Sequence, residues 1–117
     1  MKKIIGLISI IVVISCDDIV GIDDISDNEV TIIAPSEGTV LNTLSPTFSW
    51  EILDGAETYQ LQIATPAFDN ATQVVLDTTI TSTNFSFSLD LGIYAWRIRA
   101  ENSAYETPYT TQSFSIE

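Results

Sequence analysis

Histidine is absent from this 117-residue sequence, cysteine occurs once, and only four residues are basic. Without histidine, neither a Ser-His-Asp nor a Cys-His arrangement can be built, which removes the commonest nucleophilic hydrolases. A single thiol cannot form an intrachain disulfide, and with no histidine it cannot assemble the nitrogen and sulfur donors that zinc requires. The four basic residues, Lys2, Lys3, Arg97 and Arg99, stand against 16 acidic ones for a formal charge of −12. A chain so poor in cations has no footprint for phosphate backbones, so nucleic acid is excluded as a partner. Adsorption to anionic lipid through charge is equally disfavoured. No apolar run reaches the roughly 18 residues that cross a bilayer, and nothing in the sequence calls for a cofactor or a metal.

The basic residues that do occur are informative by position. Lys2 and Lys3 precede an apolar run from Ile4 to Ile14, and Ser15 stands immediately before Cys16. A positive start, a short greasy stretch and a small residue at its end make a secretion signal and not a membrane span. The end of that run, Val13-Ile14-Ser15-Cys16, resembles the lipobox of bacterial lipoproteins. The resemblance implies cleavage before Cys16 and lipid attachment to its thiol, so that membrane contact comes through acyl chains. Several chains on one residue anchor stably where a single chain does not. Residues 1–15 are thus expected to be a signal peptide and the location a bacterial envelope, with the outer membrane favoured. The chain from Cys16 onward keeps Arg97 and Arg99 against 16 acidic groups, a formal charge of −14.

Residues 16–29 read as the lipidated cysteine and an acidic tether. Their apolar residues keep no period, and like charges along them favour extension. Asp23, Asp24, Asp27 and Glu29 lie close together, but the D-x-D-x-D-G order that wraps calcium is missing. Asp17 and Asp18, directly after the cysteine, loosely resemble the surface-export signal of Bacteroidetes-type lipoproteins. A second acidic group, Glu51, Asp54 and Glu57, surrounds one turn. Paired carboxylates can act as acid and base, but catalytic tuning requires burial. The group is expected to be a solvated loop rim, and the protein is expected not to be an enzyme.

From residue 30 the pattern becomes period two in short runs divided by turn residues. Val30, Ile32 and Ala34 alternate before Pro35-Ser36-Glu37-Gly38; Phe48 and Trp50 follow Pro46; Tyr59, Leu61 and Ile63 follow Asp54-Gly55. Val74–Ile80 is β-branched and apolar; then come Phe85, Phe87 and Leu89, then Tyr94, Trp96, Ile98 and Ala100, and finally Phe114 and Ile116. No segment has a helical period. Seven half-buried strands predict an antiparallel β-sandwich over residues 30–117. Its core is expected to hold Phe48, Trp50, Tyr59, Leu61, Ile63, Phe85, Phe87, Tyr94, Trp96, Ile98 and Phe114.

Three segments carry a family resemblance. P-T-F-S-W (46–50), G-A-E-T-Y-Q-L-Q-I-A (55–64) and G-I-Y-A-W-R-I-R-A (92–100) are similar to strands B, C and F of bacterial fibronectin type III domains. The resemblance implies an immunoglobulin-like sandwich with Trp50 and Tyr59 as its core pair. It also implies that Tyr94 hydrogen-bonds back to the nearby corner. Residues 102–109 lack the glycine usual in the loop that follows, and no R-G-D tripeptide supports integrin-type adhesion.

Candidate contact residues fall outside the core. Phe68, Tyr105 and Tyr109 lie in or beside loops, where rings give large contact area at low entropic cost; Phe68 and Tyr109 alternatively cover the open edges of the core. Arg97 and Arg99 project outward, with Gln60 and Gln62 on the same side and Thr111, Ser113 and Ser115 expected alongside. Arginine grips carboxylates bidentately, so this stripe suits an anionic group. The competing reading is a solvated face whose arginines pair with Glu57 or Glu101. Thr78, in Asp77-Thr78-Thr79, resembles a bacterial O-glycosylation acceptor. Taken together, the sequence predicts a non-enzymatic, lipid-anchored binding, adhesion or accessory module. Its expected partner is an envelope protein, with a glycan-binding accessory to polysaccharide uptake as the alternative.

Overall fold

The computed structural model describes residues 21–117; Cys16 and the signal segment lie outside the described residues. Eight strands form two sheets: β1 (Ile32–Ala34), β2 (Thr39–Leu41), β3 (Thr47–Trp50), β4 (Thr58–Thr65), β5 (Gln73–Ile80), β6 (Asn84–Ser86), β7 (Gly92–Glu101) and β8 (Thr110–Ile116). One sheet has the order β1-β3-β6 and the other β2-β8-β7-β4-β5. All-β architecture and the two-sheet sandwich match the sequence expectation. The strand count differs by one, and not every pairing is antiparallel, because β2 runs parallel to β8 with Thr39 opposite Phe114 and Leu41 opposite Ile116. Three residues are too few to show alternation, so β2 has no sequence signature of its own. It is defined from outside: Gly38, at φ +79°, turns the chain, its N–H reaches the Ser113 carbonyl, and the Glu117 N–H closes the far end on the Leu41 carbonyl.

The core forms where the inward residues of both sheets meet. Phe48, Trp50, Leu61, Ile63, Trp96 and Ile98 are fully buried, with Tyr59, Tyr94, Phe114 and Ile116 beside them. Trp96 is the hub: its ring lies 5.1 Å from Phe48 and 6.2 Å from Trp50, and its Nε1 donates to the Pro35 carbonyl at 3.0 Å. Trp50 in turn lies 5.6 Å from Tyr59. The Trp50 Nε1 is buried without a hydrogen-bond partner among the described residues, and its ring is held there by packing. Two expected core residues are displaced. Phe85 and Phe87 are only half-buried, stacked on each other at 6.3 Å against the rim of the core. Phe85 lies in β6, the edge strand of the smaller sheet, and Phe87 just past its end.

Tyr94 behaves as the family resemblance implies, donating its hydroxyl to the Asp90 carbonyl at 2.9 Å. Burial beside the Asp90 charge raises its pKa above the ordinary tyrosine value, although the hydrogen bond to Asp90 opposes this. Gly92 opens the strand at φ +154°, a backbone conformation that side-chain-bearing residues rarely adopt, although there is ordinary room for a Cβ, 3.5 Å from the Tyr94 ring.

The second half of the acidic stretch is docked, where a self-repelling tether was expected. Ile25 is 2 % exposed and belongs to the core cluster. It packs over the β3–β4 turn, where Gly55 has φ +90° and any Cβ would meet Asp23 and Ile25 atoms at 3.0 Å. Asn102 locks the arrangement. Its Nδ2 donates to the carbonyls of Asp23 (2.9 Å) and Gly55 (3.0 Å), and its Oδ1 accepts the N–H groups of Ala104 and Tyr105. One amide thereby satisfies three chain segments, and the loop after β7 needs no glycine.

Burial of a single isoleucine decides whether this segment belongs to the fold. Ile25→Ala is expected to lower unfolding free energy by about 2–4 kcal/mol in urea melts; a loss under about 0.5 kcal/mol, typical of surface sites, would mean the segment is not docked.

Candidate binding face

The period-two geometry that buries Trp96 and Ile98 turns Arg97 and Arg99 to the outer face of the five-stranded sheet. Cross-strand register then chooses their neighbours. Gln62 lies opposite Arg97 and Gln60 opposite Arg99 on β4. On the other flank Arg97 faces Thr111 of β8, and Gln62 and Gln60 face Asp77 and Thr79 of β5. The stripe expected from sequence is thus extended by two residues that the reading did not single out. Asp77 and Thr79 could have been found by running the β4 parity across an antiparallel partner.

The side chains form a connected layer. The Arg97 Nε donates to Gln62 Oε1 at 2.7 Å. Gln60 is held from both sides, donating through Nε2 to Asp77 and accepting the Thr79 hydroxyl at 2.7 Å. The Arg97 guanidinium lies 4.2 Å from the Phe68 ring centroid and 4.3 Å from that of Tyr109, while Arg99 lies 4.8 Å from Tyr109. Phe68 comes from the β4–β5 connection, which folds back over the sheet. Ala64 and Ala95, side by side in register, are buried although they stand on the outward parity. Phe68 and Tyr109 pack on arginine and not over the open edges of the core.

The two arginines differ in charge balance. Arg99 donates through Nε to Glu101 and through Nη1 to Glu106, both at 2.9 Å. Pairing of Glu101 with Glu106 across the loop brings both carboxylates to it. Burial acts to lower the Arg99 pKa, but the Glu101 hydrogen bond and the nearby negative groups together hold it above the ordinary value. Arg97 has no ion pair among the described residues. The expectation of a solvated, self-paired face thus applies to Arg99 and not to Arg97.

Of the candidate contacts, the structure brings Phe68, Tyr109, Arg97, Arg99, Gln60 and Gln62 together and leaves Tyr105 apart. Tyr105 is 38 % exposed in the β7–β8 loop ordered by Asn102. Thr107 in the same loop is buried, its hydroxyl accepting the Ala100 N–H at 3.0 Å. Thr78 is half-buried opposite Leu61, on the core side of β5. Glu51, Asp54 and Glu57 are all exposed. Asp24, whose carboxylate accepts both the N–H and the hydroxyl of Ser26, has its pKa lowered by those bonds. A cleft of about 560 Å³ opens near Leu44, Phe87, Leu89 and Tyr94. None of the candidate contact residues lines it, and Asp90 is the one charged residue in its lining, so the outer face is the better-built site.

No family model and no curated protein matches this sequence. Solved structures do. Fibronectin(III)-like modules of Clostridium thermocellum CbhA superpose with a TM-score of 0.55 at 8 % identity, over 75 % of this chain and 95 % of theirs. The FN3tt structure superposes at 0.55 with 12 % identity, over 77 % of this chain and 97 % of its own. A Fn3-like protein from Clostridium thermocellum gives 0.53 at 17 % identity, over 79 % and 95 %. The fold is that of a fibronectin type III domain.

Stacking of Phe68 on Arg97 is measurable as coupling. Arg97→Ala is expected to cost about 1 kcal/mol, mostly lost packing of its stem and guanidinium. A double-mutant cycle with Phe68→Ala should give a coupling of about 0.5–1 kcal/mol in denaturant melts. Strict additivity would show that the two side chains do not meet.

Proposed function

We propose that the protein is a lipid-anchored, non-enzymatic module of a bacterial envelope that binds a partner through the outer face of its five-stranded sheet. The observation that carries this reading is the ordered layer around Arg97. It is built from four elements, lies on a scaffold of known module type, and leaves Arg97 without a counter-charge among the described residues. The lipobox-like Val13-Ile14-Ser15-Cys16 supports the anchor.

Docking of Ile25 bears on how the module stands. At a maximum of roughly 3.6 Å per residue, the chain from Cys16 to Ile25 spans at most about 32 Å. The end of the sandwich bearing Gly55, Asn102 and Tyr105 is the end at which this chain enters. A lipid on Cys16 therefore keeps that end near the membrane and the sheet face lateral to it. The fitting partner is a neighbour on the same membrane, such as an envelope protein whose flank meets the sheet. Tyr105, the exposed ring at the anchored end, supports glycan binding as the second reading; a glycan held there would lie between the domain and the bilayer.

Cys16→Ser is expected to abolish labelled palmitate incorporation and detergent-phase partitioning, because no other residue offers a thiol. Survival of both would contradict the anchor. Affinity electrophoresis separates the two binding readings: retardation by a polysaccharide that disappears in Tyr105→Ala favours the glycan. Robust substrate turnover would overturn the non-enzyme reading.

A further inference from the structure

The guanidinium of Arg97 is prepared on three sides. Phe68 and Tyr109 lie over it at 4.2 and 4.3 Å, and Gln62 takes its Nε–H at 2.7 Å. Rings at such distances attract the cation and strip water from its surface. The hydrogen bond fixes the plane of the group. What is left is the edge carrying the two η nitrogens, neither of which has a partner among the described residues. Arg99, two residues away, provides the contrast, since its donors are already taken by Glu101 and Glu106.

We infer that Arg97 is a receptor for a single carboxylate on a compact organic frame, bound end-on by the two η nitrogens with the Phe68 and Tyr109 edges as apolar walls. The inference rests on the binding-module reading and names the ligand class of that same face. Planar fork geometry matches a carboxylate bidentately, and the plane is set before the ligand arrives, which reduces the ordering cost of binding. Charge limits the ligand to a small anion. The chain from Cys16 onward carries a formal −14, so repulsion grows with every further negative charge on the ligand. A polyanion is rejected, whereas one carboxylate gains the local contact at the least long-range cost. That carboxylate can come from a uronic acid or from a peptide terminus, and the walls serve either frame.

Only two arginines exist in the sequence, so their Nε–H resonances make a two-signal spectrum. The full chain in detergent would be titrated with methyl glucuronide, N-acetylalanine and the neutral control methyl glucoside. Saturable movement of the Arg97 signal with either carboxylate, and none with the glucoside, is expected; the tighter of the two identifies the source. Gln62→Glu places a carboxylate beside Arg97 and should abolish the response while leaving the fold's amide spectrum unchanged. Arg97→Lys keeps the charge but loses the fork, and should weaken binding at least about tenfold by the Tyr109 ring signals. No saturation below about 100 mM, an affinity too weak to matter, or an equal response to chloride at matched ionic strength, overturns the inference. So does undiminished binding in Gln62→Glu. Those failures leave the module reading standing if a photo-cross-linker at Thr111 still captures one defined envelope protein in cells; detection of substrate turnover removes the module reading instead.

Discussion

Burial of Trp96 is the constraint on which the rest of this domain depends. With no disulfide available, the two sheets are held by interlocking rings, and Trp96 touches the aromatic residues of the opposite sheet while its indole N–H is tied to Pro35. A strand residue so placed fixes the orientation of all its neighbours, because a shift by one would exchange the faces of the strand. Arg97 is therefore outward as a consequence of Trp96 being inward. The same logic places Gln62 beside Arg97, since β4 is registered by Leu61 and Ile63 in the same core. Site and core are two faces of one register.

A second constraint operates at the end where the chain enters. Gly55 has a backbone conformation and a clearance that admit no side chain, and this lets Asp23 and Ile25 lie on the β3–β4 turn. Asn102 uses all four of its hydrogen-bonding positions to join that segment to the turn and to the β7–β8 loop. An asparagine satisfied so fully acts as a rigid connector, since removing it strands several polar groups at once. The result is an entry point with little slack, which links the direction of the domain to the direction of its anchor.

Much of the fold was legible because the alternation of large apolar residues is unambiguous in β3, β4 and β7. Trp50, Tyr59, Leu61, Trp96 and Ile98 all lie where that alternation puts them. What was not legible depends on partners distant in sequence. β2 exists only because β8 offers its edge. Ile25 is buried only because a glycine 30 positions later leaves room. Phe85 and Phe87 keep the right parity but are only half-covered, Phe85 in the edge strand β6 and Phe87 just past its end. For the site, the polar stripe could be read from one strand at a time, but the distinction between Arg97 and Arg99 could not. It arises from the loop geometry that brings Glu106 back beside Glu101. The stacking of Phe68 on Arg97 likewise depends on the path of the β4–β5 connection, which no single-strand pattern reveals.

Core and binding face both depend on the opposite orientation of two adjacent residues. Equilibrium denaturation of Trp96→Ala and Arg97→Ala, measured side by side, tests it most directly. The structure requires Trp96→Ala to lose about 3–5 kcal/mol through lost burial and the cavity left behind, with Arg97→Ala losing roughly a third of that or less. Equal losses, or a greater loss from Arg97→Ala, would contradict the register and with it both the core and the binding face.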